Sequence, residues 1–330
     1  MTESSFPILL TSAGRRVALV HEFQRALARR CLRGPVIACD LRGHAPALHA
    51  ADAAELVPRV TDAAYVPALL ELCRRHAIRM VVPLIDTELH LLAPHRAAFE
   101  AVGATLVVSS PETTTLSLDK RSTGEFFTSI GVRSPKILDP DALLADPGAA
   151  WPVLLKPADG SCSVGVTRID GPAELAFYHR RIPNPIVQEL IRGREYTMDA
   201  LVDFAGRVRM VVPRLRIETR AGEVSKGMTV KDARLIETTR QVVAALPGAV
   251  GVITVQCFVE EGTQELVFLE INPRFGGGFP LSAAAGGDYC GWLIDWIRGE
   301  DAEIAMDGFQ DRLLMLRWDE AVFVPESSVL

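Results

Sequence analysis

The chain has no Cys-x-x-Cys pair. Its six cysteines stand apart at positions 31, 39, 73, 162, 257 and 290, a pattern that excludes the spacing of a structural zinc site or a dithiol redox centre. It fits reduced thiols and a cytoplasmic location. No apolar stretch approaches the roughly 20 residues of a membrane helix, and the N-terminus MTESSFPILL lacks the basic segment and long apolar run of a secretory signal. There is no basic excess: the formal net charge of −6 argues against a nucleic-acid binder held by phosphate contacts, while leaving room for a local basic pocket. Repeats and low-complexity runs are absent, and the histidines show no metal spacing. What remains is an ordinary globular balance, 48% hydrophobic and 23% charged over 330 residues, long enough for two domains or three small ones.

Residues 7–110 alternate short apolar strands with helices. Ile8-Leu9-Leu10, Val36-Ile37-Ala38-Cys39-Asp40, Met80-Val81-Val82-Pro83-Leu84 and Thr105-Leu106-Val107-Val108 read as strands, with helices near 15–31, 63–76 and 87–101. That alternation predicts an α/β, doubly wound parallel sheet. The first turn, TSAGRR, carries one glycine where the dinucleotide fingerprint needs three. NAD binding at Gly14, with Asp40 on a ribose, is therefore the weaker reading; Asp40 as a cap or turn residue is the plainer one. The basic run at Arg25, Arg29, Arg30 and Arg33 reads as a solvated helix face and its C-terminal cations.

The texture changes from about 111. A helix starts at Pro111-Glu112, carries Asp119-Lys120 and ends near Gly131; residues 134–150 read as a surface connection. Val153–Pro157 and 164–169 read as two strands joined by a Gly/Ser-rich loop, a flap able to donate backbone N–H groups to phosphates. The Walker pattern G-x-x-x-x-G-K-[ST] is absent. A helix near 173–181 and strands at 186–190 and 195–202 follow. Lys156, ending an apolar strand just before Pro157 and the glycine loop, needs an anionic partner if buried. Cys162 reads as a small residue fitting the loop.

The most informative stretch is 251–280. Two Val/Ile/Phe-rich runs flank a polar turn at 260–265 and predict an antiparallel hairpin. Strand alternation puts Glu270 and Asn272 on one face, with Gln256 able to lie beside them. One carboxylate and two amide carbonyls form an oxygen set that suits Mg²⁺ (or Mn²⁺), which usually arrives with nucleotide phosphates. Arg274 follows, a fixed cation near those phosphates. The bland alternative is a polar strand end with Asn-Pro as turn chemistry.

Taken in order, these pieces resemble the ATP-grasp superfamily, and within it the synthetase unit of the carbamoyl-phosphate synthase large subunit. The resemblance runs over residues 8–300 and is sharp at Asp119-Lys120, at Val153–Val166, at Gln188–Tyr196 and at Gln256–Arg274. It implies a pre-ATP-grasp domain at 1–112 and a two-lobed ATP-grasp domain at 113–330, with a lid at about 120–190. It implies ATP and Mg²⁺ as cofactors: Lys120 and Lys156 on the phosphates, Gly160, Ser161 and Ser163 over the γ-phosphate, and Gln188, Glu189 and Leu190 at the adenine edge. Glu195 would meet the ribose, and Gln256, Glu270 and Asn272 the metal. Arg274, with Lys156, would serve the transferred phosphoryl group.

The implied activity is a carboxylate–amine ligase of the EC 6.3 type, working through an acyl phosphate on small-molecule carboxylate and amine substrates; a homodimer is compatible with it, and neither nucleic acid nor membrane is expected. Arg214, Arg216, Lys226, Glu88, Gly277 and Gly278 are weaker candidates for substrate contact. Departures from the family pattern are Gln256, where many members have a carboxylate, and the run Phe275–Pro280 after Arg274. Three glycines before a proline there read either as N–H groups exposed to an anion or as a flexible turn. No glutamine-hydrolysing domain or duplicated half is visible, so synthesis of carbamoyl phosphate itself is not expected. Phosphorylation of carbonate or carbamate, and a nucleotide-binding regulator without catalysis, stand as alternatives.

Overall fold

The computed structural model describes residues 5–159, 165–220 and 222–329. Three sheets organise it. The first contains β1 (Ile8–Thr11), β2 (Val36–Asp40), β3 (Ala53–Leu56), β4 (Met80–Pro83) and β5 (Thr105–Leu106), all parallel in the order β3-β2-β1-β4-β5. Its central strands β1, β2 and β4 are buried on both faces, and their period of two sorts them cleanly. Ile8, Leu10, Val36, Ala38, Met80 and Val82 join one core with the helix Val17–Arg29, whereas Leu9, Ile37, Cys39 and Val81 join another with the helices Tyr65–Arg75 and Arg96–Glu100. The edge strand β3 was not expected from the sequence: it has no apolar run and is only half-buried. Asp40 acts as a turn cap, accepting the Gly14 N–H at 2.9 Å.

The second sheet is small: β6 (Ile137–Leu138), β7 (Val153–Pro157), β8 (Thr167–Ile169) and β9 (Pro185–Glu189), in the order β6-β9-β7-β8. Its core is Val153, Leu155, Ile169, Leu175 and Val187. Three expectations change here. The helix through Asp119-Lys120 is broken: Pro111–Leu118 ends at Asp119, which is extended (φ −106°, ψ 125°) and caps a second helix, Lys120–Ser129, by accepting from Arg121 and Ser122 N–H. The supposed connection 134–150 contains β6 and the helix Pro140–Ala145. Of the strand predicted at 164–169, Val164 lies outside the described residues and the described part starts at Thr167, Gly165 having φ +76°.

The third sheet, with strand order β14-β13-β10-β11-β12-β15, comprises β10 (Gly193–Val202), β11 (Val208–Arg220), β12 (Glu223–Thr229), β13 (Gly251–Glu260), β14 (Leu266–Asn272) and β15 (Leu314–Leu316). The predicted hairpin is β13–β14. One face carries Tyr196, Met198, Ala200, Val255 and Cys257 into the large core under the helix Ala233–Ala244. That core runs without interruption into the first sheet. Phe23 meets Phe275 edge-on at 5.8 Å, and Arg30 binds Asp295 on the helix Tyr289–Ile297 at 2.5 Å and Asp288, just before that helix, at 2.9 Å. The first and third sheets are thereby fixed together, and the opposite, polar face of the third is left to form the floor of a cleft. Among the described residues no helix is long and apolar enough to cross a membrane.

Candidate functional site

The cleft is a cavity of about 380 Å³ between the third sheet, β7 and the first loops of the chain. Its floor is a cross-strand row. Glu270 on β14 lies opposite Gln256 on β13, Gln256 opposite Thr197 on β10, and Thr197 opposite Arg214 on β11. Asn272 and Thr254 form the adjacent rung. The register therefore places Gln256, Glu270 and Asn272 together, as strand alternation predicts. The Asn272 amide donates to Glu270 Oε1 at 3.1 Å. Arg274 donates to Asn272 Oδ1 at 3.3 Å and to Asp86 Oδ2 at 2.8 Å, which ties this strand end to the start of the helix Asp86–Leu92 after β4.

The roof supplies two lysines. Val153 and Leu155 of β7 enter the small core, so Leu154 and Lys156 face the cavity. Lys156 is 9% exposed, and its ammonium makes no hydrogen bond or ion pair among the described residues. Burial pushes it down to about 8; Glu270 pulls the other way and Lys120 adds to the depression. Lys120 is lowered too, chiefly by burial, against the pull of Glu270, Asp159 and Asp119. It reaches the site because the Asp119 cap restarts the helix there, and its backbone N–H donates to Ala158 O at 2.9 Å, just beyond β7.

Further along the floor the charges are internally paired. Glu195 is raised by burial but faces Arg216 at 3.2 Å, which opposes the shift. Arg214, 1% exposed, grips Asp199 with two bonds of 2.9 Å; Ser282 Oγ donates to the same carboxylate at 2.6 Å, and Tyr289 OH donates to the Asp199 carbonyl at 2.8 Å. Arg214 and Arg216 were weighed as grips for a substrate carboxylate. They line the cavity, yet each is already committed to a carboxylate of the protein.

Gly277 and Gly278 also line it, for a steric reason that the sequence does not reveal. A Cβ on Gly278 would lie 2.0 Å from Arg214 Nη1, and one on Gly277 would lie 2.8 Å from Glu223 Cδ. The glycines are there because side chains press against the backbone.

Other candidates stay outside. Glu88 is fully buried below the first sheet's loops and accepts from Thr11, Ser12, Tyr65, Leu84 and Ile85, so it holds loops together and does not reach the cavity. Lys226 is exposed and bound to Glu218 at 2.7 Å. Gln188, Glu189 and Leu190 do not line the cavity; the Glu189 N–H donates to Lys136 O at 3.0 Å, and the buried Gln188 Oε1 has no partner among the described residues. Gly160, Ser161 and Ser163 lie outside the described residues. Sequence reasoning missed Arg16, Glu223 and Thr254, which complete the wall. Arg16 ends the turn TSAGRR, just before the helix Val17–Arg29, and nothing in that turn marks it; only the contact between the first and third sheets brings it inside.

In total six cations line the cavity (Arg16, Lys120, Lys156, Arg214, Arg216, Arg274) against three carboxylates (Glu195, Glu223, Glu270). Even with Asp199 and Asp86 behind them, such a surface is complementary to a polyanion. The donor set Glu270, Gln256 and Asn272, all oxygen-bearing and half-buried, fits a hard divalent cation that shares its coordination with phosphate.

Residues 8–107 match the family model of a PylC-like N-terminal domain, and residues 117–278 match that of an ATP-grasp domain. A formate-dependent phosphoribosylglycinamide formyltransferase of Parasynechococcus marenigrum is 27% identical over 257 residues, covering 72% of this chain and 64% of that protein. A carbamoyl-phosphate synthase of Methanobrevibacter smithii is 23% identical over 249 residues, covering 71% and 66%. The chain thus spans a little under two thirds of the length of the first of these. Among solved structures, the biotin carboxylase domain of Hydrogenobacter thermophilus 2-oxoglutarate carboxylase, in complex with MgADP, ADP and bicarbonate, superposes with a TM-score of 0.74 at 17% identity, over 94% of this chain and 73% of that one.

Proposed function

Since the chain belongs to the ATP-grasp superfamily, we propose that it is an ATP-dependent ligase: a carboxylate is phosphorylated to an acyl phosphate, and an amine displaces the phosphate to give an amide, with ADP and phosphate released. The observation that carries this reading is the buried ammonium of Lys156, without a partner among the described residues, which faces Glu270 across the cavity that Lys120 also lines. A buried ammonium without a partner is costly, and a triphosphate removes that cost.

On this reading Lys120 and Lys156 hold the phosphates as point charges. Glu270, with the amide oxygens of Gln256 and Asn272, holds Mg²⁺, which neutralises charge on the phosphates when bound. Arg274, steadied by Asp86 at 2.8 Å, lies beside the transferred phosphoryl group, where charge is redistributed as the new bond forms. Glu195 takes the ribose, Gln188 to Leu190 the adenine edge, and Gly160, Ser161 and Ser163 close over the γ-phosphate. The protein's task is positioning and charge neutralisation; closure of the lid, about 120–190, keeps water from the acyl phosphate. The domain boundary falls near 112. The relatives' names agree with chemistry on a carboxylate or its one-carbon equivalent, and support the class without fixing the substrate.

The test is ADP release by the full chain with ATP, Mg²⁺ and panels of carboxylic acids and amines. Glu270→Ala is expected to reduce the best turnover by about 10²–10³-fold with an unchanged unfolding midpoint. Full activity in that variant would refute the metal assignment.

A further inference from the structure

Beside the main cavity lies a second cleft of about 210 Å³, and Glu223 and Val224 form walls of both. Its other walls include Arg15, Arg220, Arg317, Trp318 and Asp319. Arg220 and Asp319 are 2.7 Å apart and neutralise each other. Glu223 is left as the shared counter-charge. Its Oε1 lies 3.9 Å from Arg16 Nη1 and its Oε2 3.4 Å from Arg317 Nη1. Burial works against its charge, but Arg16, Arg317 and Arg15 outweigh burial and hold the carboxyl below its usual range. Around this junction four guanidinium groups (Arg15, Arg16, Arg274, Arg317) face two carboxylates, Glu223 and Asp86. Two positive charges are in excess. Arg16 makes no side-chain hydrogen bond among the described residues, and burial and the nearby Arg274 both disfavour its charge, so it gains most from an added anion.

The lysines, Arg274 and the strand pair suffice for the nucleotide and the phosphoryl group. The arginines on either side of Glu223 are not used by that chemistry, and they line the two clefts that share Glu223 and Val224 as walls. Trp318, 79% exposed, lines the second of them. We propose that the acid substrate carries a second anionic group: the reacting carboxylate sits against Arg16 and Arg274 in the main cavity, and the second anion sits against Arg317 and Arg15 in the adjoining cleft. A dicarboxylate and a phosphate-bearing carboxylate share this chemistry. The inference rests on the ligase reading for which end reacts, but the binding preference does not depend on turnover.

The experiment is calorimetric titration of the full chain, saturated with Mg²⁺ and a non-hydrolysable ATP analogue. The probes are butyrate, the dicarboxylates succinate, glutarate and adipate, and 3-phosphonopropionate. The best dianion is expected to bind about tenfold or more tighter than butyrate, and the stronger of the two dianion types identifies the source. Arg317→Gln should bring that ratio close to one, and so should Arg15→Gln, whose exposed site puts folding at no risk. Equal affinities for butyrate and every dianion, no binding of any acid, or an unaltered ratio in both variants overturns the proposal. A dianion preference without ADP release under any condition overturns the ligase reading alone.

Discussion

Arg214 and Lys156 are both nearly buried cations on the wall of one cavity, and they are in opposite electrostatic states. Arg214 has a bidentate carboxylate, Asp199, which is itself held by Ser282 and tied through its backbone to Tyr289. Lys156 has Glu270 across the cleft and another lysine beside it. The first arrangement is complete without a ligand and locks β10, β11 and the helix Phe279–Ala284 together. The second is complete only when an anion arrives. Burial of charge is therefore not by itself a mark of function; burial without a partner is the better one.

The largest effect should come from breaking the complete pair. Asp199→Ala leaves Arg214 buried and uncompensated, for an expected loss of about 3–5 kcal/mol in chemical denaturation. A loss below about 1 kcal/mol would mean that the pair is not the lock described here.

The incomplete site should behave in the reverse way. Lys156 is pushed down to about 8 in the folded chain from an ordinary 10.5. Between those values the unfolded chain binds more protons, so stability of the ligand-free protein should rise with pH from about 8 to 10.5, by on the order of 3 kcal/mol. Lys156→Met should flatten that slope. Mg²⁺-nucleotide, by stabilising the charged ammonium, should be bound with proton uptake near pH 8, read from calorimetry in buffers of different ionisation enthalpy. Binding without proton uptake would separate Lys156 from the phosphates.

How much of this was legible beforehand follows from range. Strands β2, β7, β13 and β14 coincide with their apolar runs, since each buries a contiguous segment, and the Gln256/Glu270 pairing follows from one hairpin turn. The break at Asp119 could have been read from its capping chemistry. β3 and β6 could not, being short and half-buried with no apolar signature. The roles of Arg214 and Glu88 also escaped, because their partners lie 15 residues away and, for Thr11, 77 residues away. The Arg16–Glu223–Arg317 junction draws on three distant segments, and no local pattern encodes it.

The smallest effects sharpen the comparison at the glycine loop, where the two states meet. At Gly278 an added methyl would meet Arg214 Nη1 at 2.0 Å and Val224 Cγ1 at 2.6 Å. Arg214 is held by two hydrogen bonds and cannot swing aside, so Gly278→Ala should cost about 1–3 kcal/mol by thermal unfolding. At Gly277 the methyl meets the end of Glu223 at 2.8 Å and Arg16 at 3.0 Å. Those side chains are 3.9 Å apart, too far for a hydrogen bond, and have space on the cavity side. Gly277→Ala should therefore leave stability within about 0.5 kcal/mol while weakening acid binding, because the displaced groups are among those that line the two clefts. If instead Gly277→Ala proves the more destabilising of the two, the rigid element is the Arg16–Glu223 contact and not the Arg214–Asp199 pair, and the ranking of paired against unpaired charge in this cavity reverses.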